Sequence, residues 1–349
     1  MARQVGILTG GGDAPGLNAV LRAVIKYGVG KKGWRLVGIE DSFNGLLSRR
    51  LRVRELTPRH CGGLLSRGGT VLGTTNHGDP FAWEDTEGTP TDRASQVRAA
   101  VEALRLEGLI VIGGDGTQRI AHRLMSEHGI RVIGVPKTID NDLGATDQTF
   151  GFQSAVDCVS DALDRLHTTA ESHDRCLVLE VMGRDAGFIA LHGGIAGGAD
   201  VILIPEIPYD PARIAAKLEE RRRRGRPFSL IVVAESARPI GGERKIGRAG
   251  SVVLEVLRRE IPNLDARLTV LGHLQRGGSP VAVDRVLATR FGVATVDLVE
   301  DGRWGDLVCL RNGNVLGVPL AEAVARNRTV DLDGELVRVA RAVGVELGG

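Results

Sequence analysis

Two carboxylates two residues apart, Asp140 and Asp142, sit in Pro136-Lys137-Thr138-Ile139-Asp140-Asn141-Asp142, directly after a short apolar run. In an extended segment residues i and i+2 share one side, so the pair is expected to face a single site. One carboxylate can take a proton from an alcohol while the other supports a metal or orients it. Thr138 and Lys137 add a hydroxyl and an ammonium; solvated Asx turns are the bland alternative. Two glycine-rich stretches also follow apolar runs. In Thr9-Gly10-Gly11-Gly12-Asp13-Ala14-Pro15-Gly16 the glycines allow a tight turn that brings N–H groups towards phosphate oxygens, and a following helix N-terminus favours anions. The stretch reads equally as a structural turn, and it lacks the Lys-Ser/Thr of a P-loop. In Gly113-Gly114-Asp115-Gly116-Thr117 two glycines open space for a nucleotide's phosphates, and the Asp115 carboxylate can hold Mg²⁺ directly or through water.

A fourth group is spread along the second half: Met182-Gly183-Arg184, Glu235, and Gly272-His273-Leu274-Gln275-Arg276-Gly277-Gly278. Arginine forks and a histidine suit a phosphorylated sugar, with a carboxylate for its hydroxyls. Each arginine taken singly reads as a surface ion pair; it is their grouping at strand ends that points to a ligand.

The elements that must carry these loops are legible as alternating short and long patterns. Gln4–Leu8, Arg35–Ile39, Leu109–Ile112 and Arg131–Val135 read as buried strands, with helical periodicity at Asn18–Val29 and Gln118–His128. The pattern restarts after a long helix, Phe152–Thr169. Strands at Cys176–Val181, Val201–Ile204, Leu230–Ala234 and Thr269–Leu271 then alternate with helices at Ala186–His192, Pro211–Arg224 and Ser251–Arg259. The expected fold is α/β, as two doubly wound lobes with mostly parallel sheets, and ligands collect at the carboxyl ends of such strands. No Pro- or Ser-rich linker separates the halves.

Composition agrees. The chain has 349 residues, room for two domains. Its 3% aromatic content means that Val, Ile, Leu and Ala fill the cores, as buried parallel strands require. A net charge of +2 gives no reason to expect a nucleic-acid or membrane surface. Cys61, Cys158, Cys176 and Cys309 show no metal-ligand or redox spacing. No apolar leader precedes Gln4, and every apolar run is too short for a bilayer. The expectation is a cytoplasmic protein.

The five motifs together resemble bacterial-type 6-phosphofructokinases over nearly the whole chain. Gly-Gly-Asp-Ala-Pro-Gly at 11–16, Gly-Gly-Asp-Gly at 113–116, Thr-Ile-Asp-Asn-Asp at 138–142, Met-Gly-Arg at 182–184 and Gly-His-Leu-Gln-Arg-Gly-Gly-Ser-Pro at 272–280 stand in that family's order. Gly-Gly-Asp-Gly-Thr alone is shared with NAD and lipid kinases, which do not account for 138–142 or 272–280.

The resemblance implies transfer of the γ-phosphoryl of ATP to the 1-hydroxyl of fructose 6-phosphate, with Mg²⁺, in a cleft between the lobes. It implies a donor lobe of residues 1–151 with 275–325 and a sugar lobe of 152–274 with 326–349. Asp140 is then the base, with Thr138 and Asp142 beside it, and Asp115 the Mg²⁺ ligand. Gly11, Gly12, Gly114, Gly116, Thr117 and Lys137 border the donor, Gly12 offering its N–H to the moving phosphoryl. Arg184 stabilises the transition state, and Met182, Gly183, Glu235 and Arg276 meet the sugar. His273 holds the 6-phosphate, with Arg175 and Arg267 reaching it from a neighbouring subunit of a dimer or tetramer.

Two departures bear on the donor. ATP-dependent members commonly carry Gly before Thr-Ile-Asp-Asn-Asp and pyrophosphate-dependent members Lys. Gly after Gly-Gly-Asp leaves room for ATP, where Asp blocks it. This chain joins Gly116 with Lys137, the mixed-substrate combination. Gly116 carries the greater weight, because a carboxylate there is the excluding device and an ammonium excludes nothing; a pyrophosphate-dependent phosphotransferase is the alternative. In addition, Thr74-Thr75-Asn76-His77 lacks an arginine that ATP-dependent members place there. Of the family's effector arginines Arg22 remains, Lys26 replaces the next, and the third is lost near Pro58-Arg59. The run Arg221–Arg224 with Arg226 reads as a helix C-terminus. An inactive sugar-phosphate-binding regulatory subunit would require loss of Asp115, Asp140 or Arg184, and all three are present.

Overall fold

The computed structural model describes residues 2–84 and 89–349. The chain forms two compact units, Met1–Thr138 with Leu143–Gly151 and Arg276–Asn327, and Ile139–Asp142 with Phe152–Gln275 and Arg328–Gly349. The segment Ile139–Asp142 groups with the second unit, whereas the sequence reading places it in the first lobe.

In the first unit a seven-stranded sheet runs in the order Asn314–Pro319, Asp306–Arg311, Val132–Pro136, Leu109–Gly113, Gln4–Gly10, Arg35–Ile39, Val53–Leu56. The inner five strands are parallel and the two outermost are antiparallel to their neighbours. Strand alternation divides the apolar side chains between two cores. Val5, Ile7, Ile110, Ile112, Ile133 and Val135 join one, with the helices Leu17–Val24 and Ala282–Glu300. Leu8, Leu109, Val111 and Val132 join the other, with Ala94–Ala103 and Asp115–His128. Being covered on both faces, these strands are continuous apolar runs. The expected helix Asn18–Val29 is α-helical only to Val24, and Ile25–Val29 forms one wider π turn. The outer hairpin turns at Asn312-Gly313, with φ 48° and 78°. That pair is the preferred type I′ dipeptide, a signal the sequence reading passes over.

The second unit holds a four-stranded parallel sheet in the order Ala266–Val270, Cys176–Val181, Ser229–Ala234, Val201–Leu203. Cys176, Val178, Ile231, Val233, Val201 and Leu203 pack with Ile214, Leu218, Val253 and Leu257 from the helices Pro211–Arg223 and Ala249–Glu260. The other side meets the helices Phe152–His173 and Phe188–Ala196. Gly193 lies against Val159 and Gly194 against Ile202, approaches that a β-carbon would obstruct. Arg221–Arg223 form the last turn of their helix, and Arg221 pairs with Asp200 at 2.5 Å. Among the described residues no helix is long and apolar enough to cross a membrane, and none of the four cysteines is in a disulfide.

Candidate active site

In the first unit the ends of three neighbouring strands carry the two glycine loops and Lys137. Thr117 joins the loops: it is buried, and its side chain fills the space that a β-carbon on Gly10 or Gly113 would need. Gln118, fully buried, donates to the carbonyls of Val111, Gly113 and Val135 at 3.0, 3.2 and 3.0 Å, tying two strand ends together. The first loop turns at Gly11 (φ 75°) and Gly16 (φ 114°), conformations that favour glycine. It is braced by Thr74 and Thr75, through Thr74 Oγ1 to the Gly11 carbonyl (2.6 Å) and the Gly11 N–H to the Thr75 carbonyl (3.0 Å). Thr74 and Thr75 therefore serve as a backbone support for this loop.

Two cations flank this loop. Lys137, 3% exposed, donates through Nζ to the Gly12 carbonyl. Arg276 donates to the Asp13 carbonyl at 3.1 Å, and its guanidinium takes the space next to Gly12 where a β-carbon would stand. Arg276, expected among the sugar-binding residues, lies against the Gly11–Asp13 loop.

Asp115 opens the helix Asp115–His128, where the N-terminal dipole favours a carboxylate. Its Oδ1 meets Arg119 Nε at 2.7 Å and its side chain is largely covered. Gly114 precedes it, with the Lys137 carbonyl 3.3 Å from the position of a β-carbon. Gly116 has nothing within 4 Å of that position.

In the second unit the turn after Cys176–Val181 is strained and heavily held. Gly183 has φ 142° and Arg184 φ 52°, the latter costing about 1–2 kcal/mol for a residue with a β-carbon. The Met182 N–H donates to Gln275 Oε1 (3.2 Å) and the Arg184 N–H to Glu235 Oε1 (2.9 Å). The Arg184 carbonyl accepts from Ser236 Oγ and from Arg244 (2.9 Å). The Arg184 side chain itself is exposed. Thr138, Asp140, Asn141 and Asp142 are all buried. The spacing argument for the two carboxylates needs correcting. Asn141 has φ 55°, so Ile139–Asp142 turns and simple alternation does not relate Asp140 to Asp142. Asparagine tolerates that conformation through its short polar side chain.

Beneath this turn Glu180 is 2% exposed and accepts the Gly250 N–H at 2.7 Å. Burial pushes its carboxyl above the usual range, the Gly250 N–H opposes this, and Glu235 adds to the rise. Arg175 and Arg267 converge on a carboxylate of their own chain: Asp265 meets Arg175 Nε at 2.7 Å and Arg267 Nη1 at 2.5 Å. The hydrogen bond from Arg175 holds the Asp265 carboxyl below its ordinary range. His273 is exposed in the 3₁₀ turn Gly272–Arg276. The sequence reading missed Gln275, Ser236, Arg244 and Asp265. Of these, Gln275 stood inside a quoted motif, and Ser236 and Asp265 stood next to or near predicted residues.

The phosphofructokinase family profile matches residues 4–299. The chain belongs to the phosphofructokinase family. A Chloroflexus aggregans relative named ATP-dependent 6-phosphofructokinase is 51% identical, covering 99% of this chain and 98% of that protein. A Streptomyces coelicolor relative named pyrophosphate–fructose 6-phosphate 1-phosphotransferase is 46% identical, covering 94% and 96%. The solved pyrophosphate-dependent phosphofructokinase from Nitrosospira multiformis superposes with a TM-score of 0.83, covering 100% of this chain and 93% of its own, at 20% identity. The last likeness concerns the fold, a mostly parallel α/β arrangement that this family member shares.

Proposed function

We propose that this phosphofructokinase transfers the γ-phosphoryl of ATP to the 1-hydroxyl of D-fructose 6-phosphate. The observation that carries the choice of donor is the open space at Gly116, beside Asp115 and at the start of a helix. Room there accommodates a donor longer than pyrophosphate, and the helix N-terminus favours its charge. The 51% identity, over nearly the full length, to an enzyme named ATP-dependent supports the same reading.

Each residue then has a physical task. Phosphoryl transfer proceeds through a loose transition state, so positioning and charge neutralisation supply most of the catalysis. Lys137 and Arg276 bring two cations to the Gly11–Asp13 loop, supplying the charge absent from Thr74–His77, and Gly12 offers its N–H to the moving group. Asp140 takes the proton of the attacking hydroxyl, supported by Thr138 and Asp142. Arg184 neutralises the transferring phosphoryl. Met182, Gly183 and Glu235 hold the sugar, and His273 its 6-phosphate. Arg175 and Arg267 complete the phosphate site from a neighbouring subunit of a dimer or tetramer.

Asp115 would hold Mg²⁺. Among the described residues no group of three or more His, Cys, Asp or Glu side chains could form a metal cage. A single carboxylate fits an ion that takes its remaining ligands from donor phosphates and water. Bound there, Mg²⁺ supplies positive charge to the donor's oxygens.

A pyrophosphate donor is the second reading, favoured by the buried Lys137 ammonium at Gly12. Fructose 1,6-bisphosphate formation with ATP and with pyrophosphate, assayed in parallel, decides between them. Turnover with ATP is the expected result, and turnover with pyrophosphate alone would make Lys137 the deciding residue.

A further inference from the structure

The turn Met182–Gly187 is held through its amides by side chains from three separate stretches of chain. Gln275 accepts from Met182 and Glu235 from Arg184. Glu206 accepts from Gly187, at 2.9 Å to Oε1 and 3.1 Å to Oε2. Glu206 Oε1 also accepts the N–H of Val330 at 2.8 Å. Two residues earlier, the Arg328 N–H donates to the Asp142 carbonyl at 2.7 Å, and the Arg328 guanidinium lies 5.2 Å from the ring centroid of Phe188, the residue after Gly187.

These contacts form one path. It runs from the Asp142 carbonyl to Arg328, along the chain to Val330, through the Glu206 carboxylate to Gly187, and back to Arg184. Every member belongs to the second unit. We infer that Glu206 is a positioning residue for phosphoryl transfer, coupling the turn that carries Arg184 to the loop that carries Asp140 and Asp142.

The physical case rests on strain and shared acceptance. Arg184 is held at φ 52°, and such a conformation persists only where its surroundings over-determine it. Glu206 anchors the trailing end of the turn, as Gln275 anchors the leading end. A carboxylate is the suitable anchor because one side chain can accept both amides, each bond strengthened by its charge. Gly187 is suited to the partner position: a β-carbon there would come within 2.8 Å of Glu206 Oε2. Loss of the carboxylate frees the Gly187 end of the turn and leaves two amides without their acceptor, so Arg184 loses its aim while the donor loops of the first unit are untouched.

The inference rests on the roles proposed above for Arg184 and Asp140, and a double-mutant cycle tests it separately from them. Glu206→Met keeps the side chain's approximate length and removes both acceptors. It is expected to lower kcat per folded molecule roughly tenfold or more, with KM for ATP unchanged. Glu206→Gln, whose Oε1 can still accept both amides, should stay within about threefold of the parent. In an Arg184→Ala background, Glu206→Met should change kcat by less than about twofold, because residues acting through one another are not additive. Should Glu206→Met not accumulate as folded protein, Glu206→Asp replaces it in the cycle, its carboxylate one methylene short of the amides. An additive cycle, or a folded variant with kcat within twofold of the parent, would overturn the inference while leaving the function standing. Absence of turnover in the parent with either donor would overturn both.

Discussion

The Lys137 ammonium donates to the Gly12 carbonyl, so a buried cation is fixed at the Gly11–Asp13 loop. A cation anchored in this way cannot swing out to solvent, and its contribution to donor binding should be measurable. Lys137→Met, which preserves most of the volume, should lower kcat/KM for the phosphoryl donor by about 10- to 100-fold, the range for a hydrogen bond to a charged group. KM for fructose 6-phosphate should stay near its parental value. Equal loss for both substrates would remove Lys137 from the donor site.

Gly116→Asp tests the donor directly. The new side chain starts in open space, and an acidic residue in the first turn of a helix is favourable, so Tm should be unchanged or slightly raised. A like-charge contact at about 4 Å costs about 4 kcal/mol at an effective dielectric of 20. A fall of about a hundredfold or more in kcat/KM for ATP is therefore expected. Steady-state kinetics with ATP and with pyrophosphate read it out, and undiminished use of ATP would show that the donor does not pass Gly116.

Asp140→Ala removes the proposed base. Turnover should drop by about 10²–10⁴, the usual worth of a positioned general base, with KM for ATP little changed. Near-normal kcat in a folded variant would transfer the role to another group.

Asp265 neutralises two arginines that are proposed to serve a sugar phosphate. Because the pairs are partly solvent-exposed, Asp265→Asn should move Tm little. Releasing both guanidinium groups should lower KM for fructose 6-phosphate by up to about fivefold at low salt. A raised KM would mean that Asp265 orients the arginines and does not compete for them.

Glu180 gives a pH prediction. Its carboxyl is raised in the folded chain, chiefly by burial, so the folded state holds this proton more tightly than the unfolded state. The favourable contribution is complete below the unfolded carboxylate value of about 4.3 and is lost as pH rises through the raised folded value. Glu180→Gln keeps an acceptor for the Gly250 N–H and removes the titration. Urea midpoints from pH 4 upward should show the variant gaining on the parent as pH rises. Parallel curves would show that Glu180 does not titrate in this window.

The parallel strands were legible because burial on both faces requires unbroken β-branched runs, as in Leu109–Gly113 and Ser229–Ala234. The first-unit hairpin was less so: Asp306–Arg311 and Asn314–Pro319 are only partly buried, and their clearest mark is the Asn312-Gly313 turn. The glycine loops and Asp115 were readable because tight strand-to-helix turns such as those at Gly11 and Gly16 favour glycine and the first turn of a helix favours a carboxylate. Gln275 and Glu206 were not, since a polar side chain that accepts a distant backbone amide leaves no local pattern.

From the residues alone came the α/β class, the family resemblance, and the proposal of Asp115, Asp140 and Arg184 as reactive side chains, because each depends on composition, periodicity or motif order along the chain. Tertiary structure decided the rest. It set Arg276 against Gly12, drew Arg175 and Arg267 onto Asp265, bent the Asp140–Asp142 loop at Asn141, and hung the Arg184 turn on Glu206. Those are contacts between residues far apart in sequence, or backbone angles that such contacts enforce, and no local pattern encodes which distant partner will satisfy a given donor or charge.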